Sequence, residues 1–381
     1  MKKINILEPN ITNFSKKLLL KTLKKNEIST SSRDIINKFE KKISSLSGSK
    51  YTVSTNTGSS ALYVGFKSLG IKKRDLVIMP SYTFIASATS CMLAGGSPWF
   101  FDVEKDSFTI NLKQIENILK TKAIKKGKHY FHIKTNQRIF AICPVYTIGF
   151  LPNLDKIKKI AKKYNLKIIA DAACALGGRY NEKKLAHFND VICYSFNGNK
   201  SFTAGGGGAI STNNKSINDQ SILVSTNGKA RQYFHKTFGL NLRITGLHAA
   251  IGLGQLNKFN EVVKRKNKIR DNYINFFKSN KINFFNSHNK KIILWLNFLI
   301  SKKNLNEKIF INSKKSNINL NYFWMPMHLQ PIMRKNLRET CKNTDFIWKK
   351  ILVLPSSDNL KALEINYIKK FLKKNIKLIK S

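Results

Sequence analysis

Between residues 50 and 215 the apolar positions fall into short runs, separated by stretches in which they recur every three or four residues. The runs are "KYTVST", "DLVIMP", "SPWFFDV", "IFAICPV", "LKIIAD", "DVICYSF" and "GGAIST", each of strand length. Between them lie "SSALYVGFKSLG", a stretch around "IASATSCMLAGG", and "LDKIKKIAKKYN", which is amphipathic at helical spacing. Strands that are apolar throughout are buried on both faces. Alternated with helices, they predict a mostly parallel sheet covered on both sides. One long helix is expected across "LHAAIGLGQLNKFNEVVKRKNKIRDNYINFF". It should lead into a smaller α+β unit that closes on the helix "ALEINYIKKFLKKNIKLIK". Residues 1–45 are expected to be helical and to pack near the start of the large domain. The expected division is 1–255 for that segment plus the large domain and 256–381 for the smaller one.

At 381 residues the chain can build two domains and an ample core. No apolar run approaches the roughly 18 residues of a membrane span. The opening "MKKINILEPNITNF" has no long apolar stretch and no small-residue cleavage site, so a cytoplasmic location is expected, with no membrane insertion. Five scattered cysteines, with no C-x-x-C pair and no zinc spacing, predict reduced thiols and no metal site.

The net charge of +47 invites a nucleic-acid reading. The cations argue against it: they are overwhelmingly lysine, only about ten are arginine, and they are spread along the whole chain. Asparagine, isoleucine and phenylalanine are inflated too, as in "KSNKINFFNSHNKK", and these residues share A/T-rich codons. A solvated lysine surface accounts for the charge, and no nucleic-acid partner is expected. The field still favours anionic ligands such as nucleotide diphosphates.

Ligands of open α/β sheets gather at the carboxyl ends of strands. In "TNTGSSALYVGF" a strand ends, Gly58 turns the chain, and Ser59 and Ser60 stand at a helix start. Amides, hydroxyls and the helix dipole would seat a phosphate, although an ordinary serine cap reads the same. In "LKIIADAACALGG", Asp171 follows an apolar strand and needs a cation or strong donors, unless it merely caps a helix. In "YSFNGNKSFTAGGGGAI", Ser195 ends a strand, Lys200 sits in the turn, and four glycines follow. A lysine beside an apolar strand can act as a nucleophile toward carbonyls, though most lysines are simply exposed. The glycines would let backbone pass close to whatever Lys200 carries. In "GLNLRITGLHAAIGLGQL", Asn241 and Arg243 precede a helix of small residues. An anion seat, a strand-end carboxylate and a lysine, in that order, suit pyridoxal phosphate.

With these motifs the sequence resembles the DegT class of sugar aminotransferases, of the aspartate aminotransferase fold. The likeness runs through "TGSSAL", "PSYTFIASA", "DAACALGGRYNEKKL", "SFNGNKSFTAGGGGAIST" and "GLNLRITGLHAAIGLGQL". "WMPMHLQP" and "LPSSDNL" resemble the branch acting on 4-keto-6-deoxy nucleotide sugars. The resemblance implies a fold-type I pyridoxal-phosphate transferase with a mostly parallel seven-stranded sheet and a smaller C-terminal α+β domain. By position it implies that Lys200 carries the cofactor and moves the proton, and that Asp171 pairs with the ring nitrogen. Gly58, Ser59, Ser60 and Ser195 would hold the phosphate, and Phe84 would stack on the ring. Asn241 would reach the cofactor of a partner subunit, which makes the expected active form a homodimer. Cys174 stands where the family often has Gln, Glu or His, and His328 would lie near the sugar nucleotide. Gly206 occupies a position that is commonly Glu, a replacement similar to that in the bacillosamine, legionaminic acid and perosamine branch. The implied substrates are glutamate and a nucleotide-diphosphate keto-sugar. The contrasting reading, which the charge motivates, is a non-catalytic sensor or polyanion-binding protein of the same fold.

Overall fold

The computed structural model describes residues 2–284 and 293–380. Seven strands form the body of its main sheet: β1 (Tyr51–Thr55), β2 (Leu76–Pro80), β3 (Ser97–Phe101), β4 (Arg138–Ile142), β5 (Lys167–Asp171), β6 (Val191–Ser195) and β7 (Gly208–Thr212). Their spatial order is β1-β7-β6-β5-β4-β2-β3. The strands from β6 through β3 run parallel, and β7 is antiparallel to both of its neighbours. Two additions went unread in the sequence. A hairpin of Ala123–Lys126 and His129–His132 pairs with the start of β4, and Leu337–Arg338 extends the edge beside β3.

Alternation within the strands explains the layers. In β2, Leu76 and Ile78 enter one core cluster, while Val77 and Met79 enter the other. In β6, Ile192 and Tyr194 divide from Val191 and Cys193 in the same way. The first cluster is closed by helices α2 (Arg33–Ser47), α5 (Leu112–Lys122), α6 (Leu154–Lys163) and α8 (Gly246–Asn257). The second is closed by α3 (Gly58–Ser68), α4 (Ile85–Leu93) and α7 (Lys215–Ser225). Both sheet faces are therefore covered, as uniformly apolar strands require. Side-chain caps set several helix starts: Thr57, Asn111, Asn153, Asn214 and Thr245 each accept from an amide three residues on.

Three elements depart from the sequence reading. The long helix is two, α8 and α9 (Phe259–Ser279), because Lys258 leaves helical geometry at φ −100° and ψ 21°. The break lets Phe259 stack on Phe202, two residues beyond Lys200, with centroids 4.6 Å apart. The closing helix is also divided, at Asn375. Residues before α1 (Asn13–Lys24) are extended rather than helical, and Pro9 disfavours helix for the residue before it. This stretch is bonded to the C-terminal unit: Ile4 N donates to Asn317 O (2.8 Å) and Ser356 N to Ile6 O (2.7 Å).

The C-terminal unit has a three-stranded antiparallel sheet of Asn297–Ile300, Ile351–Leu354 and Asn321–Tyr322, in that spatial order. Helices Lys308–Lys315 and Ala362–Lys374, with α9, enclose its core. Among the described residues no helix is long and apolar enough to cross a membrane.

Candidate active site

A cavity of about 340 Å³ opens where β5 and β6 end and α3 begins. Gly58, Ser59, Phe84, Asp171, Cys174, Ser195 and Lys200 all line it.

Asp171, the last residue of β5, is 6% exposed. Its Oδ2 accepts from the Ser87 hydroxyl (2.6 Å) and its Oδ1 from the Ala173 amide (3.1 Å). Ser87 is itself paired with Thr83 Oγ1 at 2.9 Å. A buried carboxylate held this way is oriented by the protein and keeps acceptor capacity for a donor inside the cavity.

Lys200 sits in the turn after β6, its amide bonded to Asn197 O at 2.9 Å. Its Nζ lies 3.4 Å from Cys174 Sγ and 4.0 Å from the centroid of the Trp295 ring. That ring is fixed on both sides: indole Nε1 donates to Asn199 O (2.7 Å) and the Trp295 amide to Ile148 O (2.8 Å). Burial pushes the Cys174 thiol upward in pKa, against the opposing pull of the Lys200 amine, so Cys174 offers Lys200 a neutral partner.

The start of α3 is capped by Thr57 rather than by a serine. Thr57 Oγ1 accepts from the Ser60 amide (3.0 Å) and pairs with the Ser60 hydroxyl (2.8 Å). Ser60 therefore serves the cap and does not line the cavity, whereas Gly58 and Ser59 do. A Cβ on Gly58 would fall 2.7 Å from Ser195 Cβ, so glycine is what lets the helix start approach Ser195. Free first-turn amides and the helix dipole there make an anion seat.

The glycine quartet divides its work. Gly205 (φ 81°) and Gly207 (φ 116°) take left-handed backbone, and a Cβ on Gly208 would lie 2.4 Å from Thr57 O. Gly206 and Gly207 line the cavity. The run thus turns the chain and presses β7 against the α3 start.

Phe84 is 54% exposed, with its ring 6.1 Å from that of Trp324. Asn241 is exposed, pairs with Thr226, and stands outside this cavity. His328 stands outside it too. It is 7% exposed, with Nδ1 2.6 Å from Ser81 Oγ and Nε2 2.8 Å from Asp345 Oδ1. Together with the bond from Met327 N to Ser81 O, it pins the Met327–Leu329 turn to the end of β2.

Sequence reasoning missed Ser87, Tyr146, Trp295 and Trp324, of which Tyr146, Trp295 and Trp324 line the cavity. Ser87 and Trp324 lay inside quoted motif blocks, whereas nothing local marked Trp295. It also missed Lys266, a lysine 6% exposed on α9 that donates to Trp295 O (3.1 Å) and Ser356 O (2.9 Å).

The chain is 29% identical over 371 residues to GDP-perosamine synthase of Escherichia coli O157:H7, covering 97% of each. It is 27% identical over 359 residues to UDP-4-amino-4,6-dideoxy-N-acetyl-beta-L-altrosamine transaminase of Campylobacter jejuni, covering 91% of this chain and 90% of the other. Its fold superposes on Helicobacter pylori PseC, an aminotransferase of pseudaminic acid biosynthesis, with a TM-score of 0.86 at 22% identity, covering 99% of this chain and 100% of that one. The DegT/DnrJ/EryC1/StrS aminotransferase family description matches residues 9–373. The chain belongs to that family and is a pyridoxal-phosphate-dependent aminotransferase of fold-type I.

Proposed function

We propose that this enzyme moves an amino group from glutamate to the keto carbon of a 4-keto-6-deoxy sugar on a nucleoside diphosphate. The product would be a perosamine-, bacillosamine- or legionaminic-type precursor for a surface glycan. The observation that carries this reading is the convergence of Lys200, Asp171 and the α3 start on one cavity. Its support from outside the chain is likeness to a perosamine synthase along 97% of both chains.

The cavity residues fit the cofactor. An oriented carboxylate, an amine and an anion seat kept open by a glycine that tolerates no Cβ suit its ring nitrogen, aldehyde and phosphate in turn. When bound, pyridoxal phosphate supplies a conjugated ring that takes up the electron pair left when a proton departs from the carbon bearing nitrogen. The protein's own groups do the rest. Lys200 Nζ would hold the cofactor and, as a free amine, would take the proton from the donor carbon and deliver one to the acceptor carbon in the second half-reaction. Trp295 beneath Nζ limits where that amine can swing. Asp171 would hold a proton on the ring nitrogen, and Ser87 keeps the carboxylate aimed. Gly58, Ser59 and Ser195 would bind the phosphate, and Phe84 would cover the ring. Asn241, outside its own cavity, serves the site of a partner subunit in a homodimer.

The sensor or polyanion reading rests on charge alone. Among the described residues lining this cavity, Lys200 is the sole lysine or arginine. Incubating purified protein with pyridoxal phosphate and glutamate should change the cofactor absorbance. Adding a panel of 4-keto-6-deoxy nucleotide sugars should restore it and yield an amino sugar by mass. Restoration by simple keto acids but by none of the panel would refute the substrate class.

A further inference from the structure

Phe259 and Lys266 stand two turns apart on α9, so both side chains leave the same face of that helix. Both reach the turn that carries Lys200, one on each side of it in sequence. Phe259 stacks on Phe202 with planes 14° apart. Lys266 reaches the other flank through Trp295. Its Nζ donates to Trp295 O (3.1 Å), and the indole Nε1 of Trp295 donates to Asn199 O (2.7 Å). Lys200 lies between these two contacts, with Nζ 4.0 Å from the centroid of the Trp295 ring.

A lysine is a costly way to make the α9 contact. Lys266 is buried, and its hydrogen bonds go to two neutral carbonyls, those of Trp295 and Ser356. A buried ammonium answered by carbonyls alone opposes folding, and an aliphatic side chain of similar length would fill the space without that penalty. What the ammonium adds is a strong, directional bond to a main-chain oxygen. The Trp295 amide is already bonded to Ile148 O and the indole to Asn199 O, so Lys266 holds the remaining polar group of that residue. Its second bond acts on the same segment: Ser356 Oγ accepts from the Asn297 amide (2.7 Å), two residues past Trp295. With all three groups held, the ring cannot shift beneath Lys200 without breaking a bond.

Resting on the role given above to Lys200, we propose that Lys266 is a positioning residue for the Lys200 amine: it fixes the Trp295 carbonyl, and with it the ring over which that amine lies. The reaction that depends on this is capture of the cofactor. The neutral Nζ adds to the aldehyde carbon, a carbon–nitrogen double bond forms, and the aldehyde oxygen leaves as water with the two amine protons. An amine confined near its target captures it faster than one that samples many positions. α9 thereby clamps the reactive turn at both flanks, by Phe259 on Phe202 and by Lys266 through Trp295.

The test mixes cofactor-free protein with pyridoxal phosphate, follows the rise of the bound-cofactor absorbance, and records the cofactor's circular dichroism band in the loaded protein. The variants are Lys266→Met, Tyr273→Phe and Trp295→Leu, the last with and without Lys266→Met. Tyr273 lies on the same helix and donates to Pro355 O (3.0 Å), so its loss loosens α9 without touching Trp295. Lys266→Met should capture the cofactor about tenfold or more slowly and carry an altered dichroism band. Tyr273→Phe should stay within about twofold of wild type, and Lys266→Met should add less than about twofold once Trp295→Leu has removed the ring. If Lys266→Met does not fold, Lys266→Gln takes its place. A wild-type rate and band in the folded Lys266 variant, equal slowing in Tyr273→Phe, or undiminished slowing in the Trp295→Leu background overturns the assignment. Borohydride reduction of the loaded wild type separates the two readings. An adduct on Lys200 with a wild-type rate in the Lys266 variant ends only this one. An adduct elsewhere ends the role given to Lys200, and this one with it.

Discussion

The carboxyl edge of the large sheet and the small C-terminal unit meet at one cavity but contribute in opposite ways. The sheet edge supplies reactive groups from residues close together in sequence: Asp171 and Ser195 end two adjacent strands, and Lys200 lies in the turn after the second. Their positions are set by strand ends, a helix cap and glycines, so backbone geometry places the chemistry. The C-terminal unit supplies ring surface and amides, with Trp295 and Trp324 brought in by tertiary packing. Chemistry placed by local backbone can be read from the sequence, whereas surface placed by long-range packing cannot. Changes at the sheet edge should therefore abolish the reaction, and changes in the C-terminal unit should alter binding and stability.

The largest effect expected is that of Lys200→Ala. Amino transfer should fall by about 10³-fold or more, with loss of the bound-cofactor absorbance, measured in a coupled glutamate assay and by spectrum. Asp171→Asn keeps the shape but not the charge, and should cost roughly 10²-fold in kcat. Full activity in that variant would break the sheet-edge half of the contrast. Gly58→Ala drives a Cβ to within 2.7 Å of Ser195 Cβ. About 1–3 kcal/mol of stability should be lost, with weaker cofactor retention on dialysis, read from urea midpoints and absorbance.

Lys266 tests the C-terminal side. Burial pushes its amine from 10.5 down to about 8. The folded value lies below the unfolded one, so the buried charge opposes folding fully below about pH 8. The penalty fades as pH climbs toward 10.5. Lys266→Met lacks this titration. Urea unfolding at about pH 7.5 and about pH 9.5 should show wild type gaining about 2 kcal/mol on the variant. A constant difference would mean that the amine is not desolvated. The smallest effect expected is at Ser87→Ala, which removes one donor to Asp171 and should cost about tenfold in kcat with KM for glutamate little changed.

The sheet was legible because both-face burial leaves uniformly apolar strands, and the reactive groups were legible because they sit where those strands stop. The sequence marks the α3 start as a candidate phosphate seat or an ordinary serine cap, and in the structure the cap is Thr57. Thr57, Ser59 and Ser60 are chemically interchangeable as caps, and only the structure shows that Thr57 takes the Ser60 amide. The four glycines read in the sequence as clearance for Lys200; in the structure Gly206 and Gly207 line its cavity, Gly205 and Gly207 take left-handed backbone, and Gly208 packs against Thr57. The break at Lys258 escaped notice because apolar spacing continues through it, and the gain that pays for it, Phe259 on Phe202, is tertiary. Trp295 could not be found from sequence, since its contact with Lys200 spans 95 positions and depends on how two units pack.

The central claim is that the amine of Lys200 carries the cofactor. Borohydride reduction of the protein loaded with pyridoxal phosphate, followed by proteolysis and mass spectrometry, tests it directly. The account predicts one stoichiometric pyridoxyl adduct, on the peptide containing Lys200. An adduct spread over surface lysines, or placed on Lys266, with Lys200 unmodified, would contradict it.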